Sequence, residues 1–275
     1  MTPSEMNAQA EVYAIKKASH SPKNLFTLSI LGGAYVAMGG IFATVIATGA
    51  TGIVPFGIMR LIMGIVFSLG LILCVIGGAE LFTGSTLVSV AWLNRKIKIW
   101  GLIKNWAMVY VGNFVGAMFI AFLLFLAKEY AVSGGAFGQA VFSIALPKMH
   151  HGFIEAIVLG ILCNLMVCLA IWLSFNGKST TDKILAIVFP VSAFVAMGFE
   201  HSVANMYLVT EALLIKTFDP GFVASKAIDA GVLTWGNFFV HNLLPVTIGN
   251  IIGGVLIWLA YWFIYSHKQS ATQDA

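Results

Sequence analysis

The sequence predicts an all-α membrane protein of six transmembrane helices, laid out as an inverted three-plus-three repeat whose second and fifth spans are broken. Three observations predict it. Of 275 residues, 59% are hydrophobic and only 9% charged, against roughly 25% charged in a soluble domain. Apolar runs of about 20 residues recur, the length that crosses a hydrocarbon core of about 30 Å. Two of the runs are too long, and each is interrupted by a glycine-bounded polar patch. The patches are Gly77, Gly78, Ala79, Glu80, Leu81, Phe82, Thr83 and Gly84 in one run, and Gly198, Phe199, Glu200, His201, Ser202, Val203, Ala204 and Asn205 in the other.

Taken in order, residues 1–24 form a polar N-terminal segment of mixed charge, 25–265 the six-span domain and 266–275 a C-terminal tail. The apolar run after the N-terminal segment is too long and too glycine-rich for a signal-peptide core, so the first span is expected to stay in the protein. Spans are expected at 25–48, 57–92, 101–127, 153–175, 184–214 and 236–265. With the N-terminus inside, ten Lys and Arg residues fall on the inner side and five on the outer. That bias predicts both termini in the cytoplasm. The third and sixth spans share one spacing: Asn105, Gly112, Asn113 and Gly116 against Asn242, Gly249, Asn250 and Gly253. Each half then has three spans and a break in its second, and units of odd span number insert with opposite topology. Broken helices in such repeats are tolerated where protein buries them or where they line a cavity, which predicts a solute site near the bilayer midplane.

The glycine pairs read as close helix packing. Asn113 and Asn250 read either as interhelical glue or as amides that donate to an anion. Cys74, Cys163 and Cys168 lie inside apolar runs and read as small core residues. The ionisable residues singled out within the spans are Glu80, Glu155, Glu200 and His201, with Lys148, His150 and His151 just ahead of the fourth. Glu155 sits in a helical first turn, where the dipole favours a carboxylate. Glu80 and Glu200 occupy matching places in the breaks, where a carboxylate can accept from freed backbone N–H groups. His201 stands apart, because an imidazole of ordinary pKa near 6.5 can hold or release a proton at neutral pH. His150 and His151 lack a third ligand at metal spacing, so no metal is expected, and no cofactor.

Three stretches resemble the signatures of the formate/nitrite transporter family, and among its members most resemble the bacterial formate channels. They are Gly78 through Thr83, Gly198 through Met206, and Pro245-Val246-Thr247-Ile248-Gly249-Asn250-Ile251-Ile252-Gly253-Gly254. The resemblance implies an aquaporin-like fold in a homopentamer of the bacterial inner membrane, one pore per protomer, with formate or a similar small anion as solute. It implies that His201 is the central pore histidine, with Thr83 as its hydrogen-bonding neighbour. Lys148 and Asn250 would draw the anion toward it, and Asn164 and Glu200 would support it. Leu81, Phe82 and Val167 would form the cytoplasmic constriction, and Phe67, Leu71 and Phe194 the apolar ring on the other side. The N-terminal segment, with Val12 and Ile15 at helical spacing, is either a gating helix or a surface element.

Apolar rings oppose a bare carboxylate, whose transfer to low dielectric has an idealised cost of order 20 kcal/mol. Protonating a carboxylic acid of pKa about 4 at pH 7 costs roughly 4 kcal/mol. A neutral form lent a proton by His201 is therefore expected at the rings; the competing expectation is an anion held by a charged His201. Nitrite and hydrosulfide would be served by the same chemistry. A neutral-solute channel would instead carry paired Asn-Pro-Ala breaks, and a membrane enzyme would need a nucleophile that the sequence does not offer. The expected partners are the anion, membrane lipid and copies of the same chain, with no nucleic acid.

Overall fold

The structure, a computed structural model, describes residues 1–270, and no strand occurs among them. It opens with α1 (Pro3–Ala18), fixed by a capping box: the Thr2 hydroxyl accepts from the Glu5 N–H while the Glu5 carboxylate accepts from the Thr2 N–H. The first span is α2 (Pro22–Ala47), started by Ser21 as N-cap and a proline in the first turn. The second comprises α3 (Phe56–Gly77), the short α4 (Phe82–Ser85) and α5 (Val88–Leu93). The third is α6 (Ile99–Leu126), followed by tight turns over Glu129–Gly135 and by α7 (Ala136–Lys148). The fourth is α8 (Phe153–Phe175), and the fifth divides into α9 (Thr180–Met197) and α10 (Ser202–Phe218). Short helices α11 (Pro220–Ser225) and α12 (Trp235–Asn237) lead through a π-helical segment, Phe238–Leu243, into α13 (Leu244–Ser270), which completes the sixth.

Six helical segments are long and apolar enough to cross a bilayer, and large side chains such as Phe119 and Phe189 face outward from them. The chain is a multi-pass membrane protein. The fourth span has the predicted bounds. The fifth begins before its predicted start, because the Ser179–Asp182 capping box draws the first turn forward. The predicted tail 266–275 overlaps α13 as far as Ser270, and 271–275 lie outside the described residues. Nothing in the reading of spans foresees α7. Arg60, within the predicted second span, lies inside α3. Its guanidinium donates to the Val195 carbonyl at 2.7 Å, on the last turn of α9, where a cation is favoured by the exposed carbonyls.

Packing repeats between the halves. In the first, α2 lies against α3 and α6; in the second, α8 lies against α9 and α13. The glycine spacings allow this closeness: a Cβ on Gly116 would overlap the Ile30 carbonyl, and one on Gly253 the Ile161 carbonyl. Both breaks start alike, since α3 ends on Gly78 at φ +79° and α9 on Gly198 at φ +77°, a left-handed conformation that glycine adopts without penalty. The N-terminal amine donates to Asn176 Oδ1 at 2.6 Å and Asn7 to Ser266 at 3.1 Å. The N-terminus, the α8–α9 turn and the distal part of α13 thus share one face, called here the terminal face.

Candidate functional site

Unwinding a helix inside a membrane strands backbone groups, and one asparagine answers for them at each break. Asn113 donates to the carbonyls of Ser29 and Glu80 at 2.6 and 2.8 Å, and its Oδ1 accepts from the Phe82 N–H at 2.8 Å. Asn250 donates to the carbonyls of Gly160 and Glu200 at 2.8 and 3.0 Å, and its Oδ1 accepts from the Ser202 N–H at 2.9 Å. The Glu80 and Glu200 N–H groups are taken by the carbonyls of Leu28 and Leu159. Both amide hydrogens of Asn250, like those of Asn113, are thus engaged by backbone carbonyls, the arrangement expected of interhelical glue.

The carboxylates of the breaks are also not where the sequence suggested. Neither accepts from the freed backbone; each takes a lysine. Lys148 Nζ donates to Glu200 Oε1 at 2.7 Å and Lys17 Nζ to Glu80 Oε2 at 2.7 Å. Asn205 and Asn242 complete Glu200, while Ser85 completes Glu80. His151 stands with Nε2 3.8 Å from Glu200, and His20 with Nε2 3.7 Å from Glu80. Asn242 holds the Lys148 carbonyl as Asn105 holds that of Lys17. Lys148 is thus matched by a buried carboxylate. Glu155 accepts from the Gly152 N–H and from His151, a helix-start role.

His201 lies between the two breaks, 4% exposed, and is the N-cap of α10. Its Nδ1 accepts from the Ala204 N–H at 3.1 Å, and its Nε2 stands 3.1 Å from Thr83 Oγ1. A ring nitrogen that accepts from an amide carries no proton. The neutral imidazole therefore has its proton on Nε2 and donates it to the Thr83 hydroxyl oxygen. Asn164 fixes Thr83 in turn, donating to its carbonyl at 3.2 Å and to that of Asn250 at 2.6 Å.

The apolar residues divide by position. Phe194 stacks on His201 at 6.0 Å between ring centroids, and Phe67 meets Phe194 edge-on at 6.0 Å. Leu71, expected with them, lines a cavity of about 340 Å³ at the terminal face together with Leu81. Phe82 packs its ring on Tyr110 of α6 at 4.8 Å, and Val167 is buried. The cavity is walled on its outer side by Met1, Gln9, Tyr13 and Lys17, so α1 lies across it. Sequence reading passed over Lys17, although Lys17 with His20 repeats the spacing of Lys148 with His151. It also passed over Glu211, a carboxylate inside the fifth predicted span. No group of three or more metal-ligating side chains occurs among the described residues.

The family model described as formate/nitrite transporter matches residues 4–263. Formate channel FocA of Escherichia coli K12 is 47% identical over 271 residues, covering 96% of this chain and 94% of that protein. Formate channel FocA of Haemophilus influenzae is 42% identical, with 93% and 91% covered. A solved pentameric formate channel with formate bound superposes with a TM-score of 0.80 at 40% identity, covering 89% of this chain and 97% of that one. An FNT family ion channel superposes at 0.81 with 30% identity, covering 94% and 98%.

Proposed function

This chain belongs to the formate/nitrite transporter family, and from that premise we propose that it is a formate channel in which His201 lends the anion a proton at the midplane. Formate is favoured over nitrite and hydrosulfide because the relatives above are formate channels. Those relatives are channels, and the chain is not an enzyme. We place it in the bacterial inner membrane as a homopentamer, with the terminal face and its excess of Lys and Arg in the cytoplasm.

One observation carries the reading: the His201 ring nitrogen that carries the proton, Nε2, faces Thr83 beside the apolar pair Phe67 and Phe194. To lend a proton the imidazole must first hold two, and the second displaces the Ala204 N–H from Nδ1. Losing that cap costs about 1 kcal/mol, small beside the idealised cost of order 20 kcal/mol for a bare carboxylate in low dielectric. The imidazolium then gives its Nε2 proton to a formate oxygen, formic acid crosses the apolar ring, and the proton leaves with it into the water beyond. The ring left behind is neutral with its proton on Nδ1; a proton taken up on Nε2 from the water of the entry side and one released from Nδ1 restore the resting tautomer, and with it the cap of α10.

His201→Asn separates capping from proton chemistry, since asparagine is among the best N-caps but does not titrate near neutrality. In proteoliposomes this variant is expected to assemble normally, to lose about tenfold or more of its inward formate flux at neutral pH, and to lose the pH dependence of that flux. A variant whose flux keeps the wild-type pH profile overturns proton lending. Competition among formate, nitrite and hydrosulfide in the same vesicles ranks the solutes; nitrite or hydrosulfide outcompeting formate removes the formate assignment.

A further inference from the structure

A third buried carboxylate lies outside both breaks. Glu211 stands on α10, within the fifth span, and is 0% exposed, yet neither carboxyl oxygen has a hydrogen-bond partner among the described residues. One turn earlier on the same helix face, the Tyr207 hydroxyl is equally buried and without a partner among the described residues, and so is that of Thr210, which directly precedes Glu211 in the chain. Thr210 is unusual even as a helical threonine. Thr44, Thr217 and Thr247 each donate to the carbonyl four residues earlier, at 2.6–2.9 Å, whereas the Thr210 hydroxyl makes no such bond.

The contrast with the other two glutamates decides the charge. Glu80 and Glu200 each receive a lysine ammonium at 2.7 Å. Among the described residues no cation is paired with Glu211. The Lys and Arg residues of α2, α6 and α7 are Lys23, Lys104 and Lys148; His241 of the π-helical segment is exposed, His267 and Lys268 belong to the terminal-face end of α13, and Glu129 ahead of α7 adds only negative charge. Lys23 and Lys104 lie at the terminal-face ends of their helices, and Lys148 is held by Glu200. Lys216 on α10 itself donates to the Leu233 carbonyl at 2.7 Å, and Lys226 beyond α11 to the Gly134 carbonyl. An ionised carboxylate without a counter-ion in such a place bears a large desolvation penalty. A bound metal cation would have to find further oxygen ligands and room for them. A proton removes the charge and needs neither.

We propose that Glu211 is a proton-binding site: a neutral carboxylic acid at neutral pH, apart from the His201 pathway, with the hydroxyls of Thr210 and Tyr207 as its polar neighbours. The packing of the outer half of the fifth span against α2, α6 and α7 is then conditional on that proton. This inference is independent of the solute and of proton lending by His201.

Infrared spectroscopy of the reconstituted channel at neutral pH is expected to show a band of a protonated, buried carboxyl that Glu211→Gln lacks. That variant, a neutral isostere, is expected to keep the wild-type thermal midpoint and formate flux. A second test needs no variant. Dicyclohexylcarbodiimide takes up a protonated carboxyl whole: the carboxyl oxygen bonds to the central carbon, the acid proton moves to one nitrogen, and acyl transfer gives an N-acylurea with no atom lost. Mass spectrometry is expected to find the adduct at Glu211 and not at the ion-paired Glu80 and Glu200. A wild-type spectrum identical to that of Glu211→Gln in the protonated-carboxyl region overturns the proposal. So does a thermal midpoint that rises with sodium in the wild type and not in Glu211→Gln, which assigns the site to a metal cation.

Discussion

At the scale of single residues, the function of an asparagine or a lysine in this protein is set by what it is bonded to. Asn113 and Asn250 each satisfy two carbonyls and one N–H that the breaks expose. Replacing either with leucine leaves three buried backbone groups unpaired. With unsatisfied groups costing about 1–3 kcal/mol each, Asn113→Leu and Asn250→Leu are each expected to lose about 3 kcal/mol or more, to similar extents, in denaturant unfolding of the detergent-solubilised protein. The lysine–glutamate pairs give a second expectation. Glu200→Gln leaves the Lys148 ammonium, 15% exposed, without its partner, and removing one member of a buried pair costs about 3–5 kcal/mol. Adding Lys148→Met to Glu200→Gln is expected to recover part of that loss, because the orphaned charge is gone. One double-mutant cycle of unfolding measurements checks this. The residue types and spacings of Asn250, Glu200 and Lys148 were legible in the sequence, but their partners were not. A hydrogen bond from Asn250 to Gly160 joins residues ninety positions apart.

At the scale of elements, α1 is more than a surface helix. It walls the terminal-face cavity and reaches the first break through Lys17. Deleting residues 1–20 removes that wall and leaves Glu80 without its lysine. Cys74, 3% exposed and lining the same cavity, is then expected to react with a membrane-impermeant maleimide at least about tenfold faster than in the full chain. An unchanged rate means that α1 does not cover the cavity in the membrane. Close helix packing offers a further test. Gly116→Leu and Gly253→Leu drive side chains into the facing carbonyls of Ile30 and Ile161, and overpacking of a tight core costs about 1–3 kcal/mol or more. Both variants are expected to unfold at lower temperature than Gly57→Leu, whose position opens onto free space. The spans were legible because apolar length is a direct demand of the bilayer. The π-helical entry to α13 and the helix α7 were not, since neither has a period or cap that separates it from loop by sequence.

At the scale of the whole molecule, several polar contacts recur at corresponding places in the two halves. Lys17, His20, Glu80, Asn105 and Asn113 in one correspond to Lys148, His151, Glu200, Asn242 and Asn250 in the other. We read this as the inverted repeat that the shared spacing predicts, with one lysine–glutamate pair behind each mouth. The symmetry fails at the centre, and the failure is where chemistry can occur: Thr83 faces His201, so one half contributes a hydroxyl and the other a ring that holds a proton. The pentamer proposed here carries a simple expectation. Native mass spectrometry is expected to find a species five times the mass of the chain, and His201→Asn, which touches only the interior of one protomer, is expected to leave it intact.

The sequence alone determined the solvent of this protein, the number of its spans, the places where two of them break and the histidine that stands in the second break. Those features follow from local composition, because a bilayer penalises every uncompensated polar group along the chain. Only the tertiary structure decided which polar groups are spent on one another. It set Asn250 across the second break as a brace, matched Lys148 to Glu200, found Lys17 for Glu80, and left Glu211 with no hydrogen-bond partner among the described residues. The reason is that compensation in a low dielectric acts through contacts of about 3 Å between helices far apart in sequence, and spacing along one helix does not encode them.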